Sequence, residues 1–75
     1  MALKELDRVV FTRDAPDVGV AQGDVGVVVH VYPDDAAYEV EVFTLTGETL
    51  AVATAKAGDL RPVARTDVVS ARAAG

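Results

Sequence analysis

The sequence predicts an all-β fold, a small and strongly bent barrel of five short strands with a helical turn before the last one. Three observations carry that expectation. Valine-rich runs recur along the chain, as "RVVF", "VGVVVHVY", "YEVEVF" and "TLAVATA", and β-branched residues suit a pleated, half-buried surface. Glycine, proline and aspartate fall between those runs, where turns are made. With 75 residues the chain has room for one core and no second, and a domain of this size buries only about 60% of the surface its unfolded chain exposes.

Taken in order, "DRVVFT" from Asp7 to Thr12 reads as the first strand, closed by the polar Arg13-Asp14 pair. "RDAPDVGVAQ" is a loop, and Gly23-Asp24 makes a tight turn with the aspartate placed to accept backbone N–H groups. Val25 to Tyr32 is long enough for the central strand. Alternation from Val25 puts Val25, Val27, Val29 and Val31 inward and Gly26, Val28, His30 and Tyr32 outward, so a strong bend must cover Val28 and Tyr32. Gly26 is the position for a kink or for close approach to another backbone. Pro33 to Ala37 turns the chain. "YEVEVFTL" then alternates cleanly, with Tyr38, Val40 and Val42 on one face and Glu39, Glu41 and Phe43 on the other.

Gly47, in the "TGE" turn, supplies the positive φ that a hairpin can require. Thr49 to Ala55 forms the fourth strand, with Leu50, Val52 and Thr54 inward. Lys56 to Gly58 makes a single helical or 3₁₀ turn. Leu60 to Val63 is a brief fifth strand, at a sheet edge because Pro62 cannot donate to a ladder. The barrel therefore occupies residues 1–63, and residues 64–75 form a tail that is either a short helix capped by Thr66 or Asp67 and running to Arg72, or disordered. Short strands, a long first loop and a helical turn before the last strand describe the SH3-like class.

Composition narrows the chemistry. The absence of cysteine excludes disulfides and thiol catalysis. A single histidine argues against a zinc site, and no cofactor or metal is expected. Lys4, Glu5, Asp7 and Arg8 interrupt the N-terminal apolar residues, and no later window approaches a membrane span, so a cytoplasmic location without membrane association is expected. The net charge is −5, and a surface this acidic repels phosphate backbones, which disfavours a nucleic-acid partner.

Several side chains are candidates for contact with a partner. Arg8, Arg13 and Arg61 would line one rim if the first and last strands pair, offering guanidinium groups to a carboxylate or phosphate. His30 is the one side chain whose unperturbed titration falls near neutrality, but no serine or cysteine nucleophile lies near it in sequence. Tyr32, Tyr38 and Phe43 are aromatics of the kind that flank peptide grooves, without the ladder such grooves use. Glu39 and Glu41 share a strand face, where acidic residues serve solubility. Gly23, Gly26 and Gly19 are spaced unlike a dinucleotide fingerprint and lead into a strand, so Gly23, Asp24 and Gly26 are turn and packing residues.

"GDVGVVVHVY" at Gly23 to Tyr32, "YEVEV" at Tyr38 to Val42, "TGET" at Thr46 to Thr49 and "DLRPV" at Asp59 to Val63 together resemble the bacterial domain-of-unknown-function family 4926. The resemblance spans Leu6 to Val63 and implies a compact β domain with no catalytic residues to carry over. The Gly-Asp-x-Gly-x-Val-Val element is also similar to the opening of KOW domains and of a segment in the β subunit of nitrile hydratases, over one strand and turn.

The function expected from these readings is that of a non-enzymatic protein-interaction module. Its partner is a protein, and a second copy of the chain qualifies if Val28, Phe43 or Val68 and Val69 are covered by dimerisation. The alternative is an immunity or antitoxin-type protein with an acidic face for a basic toxin, followed by a KOW-like nucleic-acid binder or a nitrile-hydratase-type accessory subunit.

Overall fold

A computed structural model describes residues 2–74. Five antiparallel strands form one curled sheet: β1 (Arg8–Phe11), β2 (Val25–Val31), β3 (Tyr38–Phe43), β4 (Thr49–Ala55) and β5 (Leu60–Pro62), in the spatial order β4-β3-β2-β1-β5. Three 3₁₀ turns interrupt the connections, at Pro16–Val18, Pro33–Asp35 and Ala57–Asp59. The strand order and the 3₁₀ turn leading into β5 make an SH3-like small barrel. No ladder joins β4 to β5. Instead the loop bearing Pro16–Val18 lies against β4 and supplies Val20 to the core. No helix among the described residues is long and apolar enough to cross a membrane.

The core is small and mostly aliphatic. Val9 and Phe11 of β1, Val28 of β2, Tyr38, Val40 and Val42 of β3, Ala53 and Ala55 of β4, and Leu60 of β5 meet inside the curl, with Leu3 and Val20 from the loops. The alternation of β3 is as its sequence predicts: Tyr38, Val40 and Val42 are all buried.

β2 reverses the phase expected for its first half. Gly26 and Val28 point inward, whereas Val25 and Val29 are 48% and 40% exposed. A β-bulge between Val28 and His30 accounts for the switch. An extra residue on one strand breaks the period of two, so even-numbered residues face the core before the bulge and Val31 packs against it afterward. The bend that the sequence requires is therefore at Val29 and not at Gly26. Gly26 permits close approach: a Cβ there would lie 2.5 Å from Val40 Cγ1 and 2.9 Å from the Glu41 carbonyl oxygen. Val28, fully buried, has no surface to contribute to a dimer.

β4 departs from expectation in the same way. Ala53 and Ala55 are its buried residues, while Val52 is 51% exposed and Thr54 faces outward. The register shifts beside Leu50, where Phe43 pairs with Thr49 and Val42 with Ala51. Leu50 and Ala51 thereby both reach the core margin.

The turns follow their chemistry. Gly23 and Gly47 adopt positive φ, +93° and +89°, a region glycine enters without steric cost. The Asp24 carboxylate accepts the Ala21 N–H at 2.9 Å. Of the two readings of the tail beyond β5, the helix from Thr66 or Asp67 to Arg72 is not formed. Residues 63–74 contain neither helix nor strand, because the Asp67 carboxylate accepts from the Ala64 N–H at 2.6 Å and closes a turn behind itself instead of capping a helix ahead.

Candidate functional site

Cross-strand partners share a sheet face, so the register defines the outer surface of the barrel. One row runs Arg8, Val27, Glu41, Val52 across four strands. A neighbouring row begins Arg61, Val10, Val25 and adjoins Phe43 beside Thr49. The outer face is thus unusually apolar for a solvent side, with Val25, Phe43 and Val52 about half exposed and Leu45, just beyond β3, 78% exposed.

The tail crosses part of this face. Val68, Val69 and Arg72 form one wall of a cleft of about 600 Å³ whose other wall includes Val25, Phe43 and Leu45. Two guanidinium forks hold the tail in place. Near its start, Arg61 donates to both Asp67 oxygens, at 2.9 and 2.8 Å. Near its end, Arg72 donates to both Asp24 oxygens, at 2.9 and 2.5 Å, and to the Gly19 carbonyl at 2.9 Å. Such bidentate contacts add directional specificity to charge attraction.

The titration of these groups reflects the forks. Arg61, with the Ala64 N–H, holds the Asp67 carboxyl down at about 2. Arg72 lowers Asp24 as well, assisted by the Ala21 N–H and opposed by partial burial. Both arginines are in turn raised, each chiefly by its own aspartate.

The three arginines picked out in the sequence do not form one rim. Arg8 stands at the end of β1 where its carbonyl accepts from Val63, and borders a second cleft with Asp7, Val63 and Arg65. Arg13 is at the opposite end, in an exposed ion pair with Asp59 at 3.5 Å. Arg61 is turned to Asp67. Arg8 and Arg13 lie five residues apart at opposite ends of β1, roughly 17 Å at ordinary strand rise.

Of the aromatic candidates, Tyr32 and Phe43 are at the surface and Tyr38 is not. Tyr38 is fully buried, so it serves packing and offers no groove wall. His30 and Tyr32 meet edge to face with ring centroids 4.8 Å apart. The Tyr32 hydroxyl donates to Glu39 Oε1 at 3.0 Å, which raises its titration, and the Thr54 hydroxyl donates to the same oxygen. Glu41 accepts from the Thr49 hydroxyl at 2.6 Å. Two acidic side chains on β3 are thus tied down by neighbouring hydroxyls. Among the described residues no group of three or more histidine, cysteine or acidic side chains is arranged to hold a metal ion.

The sequence alone places Arg72 only at the end of a tail helix and Asp24 only in a turn. Forty-eight positions separate the pair, and no local pattern announces a contact of that range. Val25 and Val27 read as inward because valine in a regular alternation signals core, and nothing in the letters marks the bulge that inverts it.

No curated protein and no solved structure matches this chain. A family model described as "Domain of unknown function (DUF4926)" matches residues 5–62. That span runs from just before β1 to the last residue of β5, so the barrel carries the match, and the chain belongs to this family.

Proposed function

We propose that this chain is a non-catalytic protein-interaction module that docks a protein partner on the outer face of β2 and β3. The observation that supports the reading is the grouping of Val25, Phe43 and Leu45, all substantially exposed, around one cleft. Contiguous apolar surface rimmed by polar groups is characteristic of docking sites. The test is a photoreactive residue placed at Leu45 in the full chain, irradiated in cells of its source. A single crosslinked protein is expected, and Phe43→Glu should abolish it while shifting stability by less than about 0.5 kcal/mol, as at other surface positions. Crosslinking that is indifferent to Phe43→Glu would overturn the assignment.

A second feature favours a partner with a basic contact surface, as for an immunity or antitoxin-type protein. The net charge is −5, and Glu41 stands in the same outer row as Val27 and Val52. Complementary charge of this kind chiefly raises the association rate. Association slowing as salt is raised supports that reading, and a salt-independent rate counts against it.

A further inference from the structure

The tail that walls the outer cleft belongs to the chain itself, and the way it is fastened indicates what else the cleft accepts. Val68 and Val69 are 87% and 79% exposed, and every described residue from 64 to 74 is exposed. Packing therefore contributes little to holding this segment. Its attachments are the two arginine forks, of which the Arg72 fork is the one made to the barrel far in sequence. A segment held in this manner can leave without dismantling any part of the core.

The receiving end is more built than the segment. The Asp24 side chain is only 15% exposed, is fixed by the Ala21 N–H, and presents both oxygens to one planar group, with the Gly19 carbonyl as a third acceptor. An ammonium group cannot fill that fork in the way a guanidinium does. Beside it lie Val25 and Phe43, which suit aliphatic side chains.

We propose that the outer face is a docking groove for an extended arginine-bearing segment, and that the chain's own tail occupies the Asp24 end of it as a gate. This inference rests on the docking face proposed above and specifies the chemistry of its partner. The tail meets the requirement through Arg72, and being tethered it competes at an effective concentration on the order of millimolar. An incoming protein segment of the same chemistry must displace it.

The test uses the full chain and, as probe, a synthetic peptide of residues 63–75. Arg72→Glu opens the gate by setting like charge against Asp24, and Arg72→Ala opens it without added charge. Both variants should bind the peptide roughly tenfold more tightly than wild type, the ratio that a tethered competitor at about 1 mM imposes on a segment with a dissociation constant of about 0.1 mM. Adding Asp24→Asn to either should remove binding, as should Arg72→Ala within the peptide itself.

Equal affinity of wild-type and opened chains, or no binding by either opened chain, overturns the gate. A wild-type dimer in light scattering that dissociates on Asp24→Asn also overturns it, because the tail would then occupy a second copy. If the opened chains ignore the peptide while Phe43→Glu still abolishes crosslinking at Leu45, the gate fails and the docking face stands. Peptide binding together with crosslinking indifferent to Phe43→Glu is the reverse.

Discussion

Tyr38 is the largest fully buried side chain, and its hydroxyl has no hydrogen-bond partner among the described residues. The ring sits between Val31 of β2 and Ala55 of β4, where it fills volume that valine and alanine cannot. An unpaired buried hydroxyl costs roughly 1–3 kcal/mol. Tyr38→Phe should therefore leave the urea midpoint unchanged or raise it, whereas Tyr38→Ala should cost about 3–5 kcal/mol, as other aromatic truncations do. A marked loss of stability in Tyr38→Phe would show that the hydroxyl is satisfied in solution. The inward placement of this ring was legible in the alternation of β3. Its lack of a polar partner was not, since that depends on what β2 and β4 bring alongside it.

β3 illustrates how a clean period of two carries through to the structure, and β2 and β4 illustrate what defeats it. In each of the latter one irregular pairing inverts the faces partway along. Leu50 and Val52 look like core beside alanines, yet Ala53 and Ala55 are the buried residues, paired across the ladder with the buried Val40 and Tyr38. Hydrophobicity ranks residues without measuring the space available to them. The phase of β2 can be checked by paired truncations: Val28→Ala should cost roughly 2 kcal/mol for two methyl groups plus the cavity left behind, and Val29→Ala less than about 0.5 kcal/mol. A larger cost for Val29→Ala than for Val28→Ala in chemical denaturation would restore the uninterrupted alternation.

Across the molecule, strand number, order of elements and the turn before β5 could all be read from punctuation by glycine, proline and aspartate. The course of the tail could not, because it is set by two ion pairs and one of them spans most of the chain. Those pairs also give the tail a defined response to acid. Asp67 titrates at about 2 and Asp24 below its ordinary value, against about 3.9 for an unstructured aspartate. A carboxyl depressed on folding contributes stability that is whole above the unfolded value and is lost as pH falls through the folded one. Between about pH 4 and pH 2 the amide resonances of residues 64–74 should accordingly move toward random-coil positions, with the melting temperature falling. Tail resonances unchanged over that interval would mean that the forks do not hold it.

None of the described residues from 64 to 74 contributes a buried side chain. The core is consequently specified by residues 3–60, and the terminal segment carries none of it. Mutation can rewrite residues 64–74 without disturbing a single interdigitated methyl group of the drum beneath.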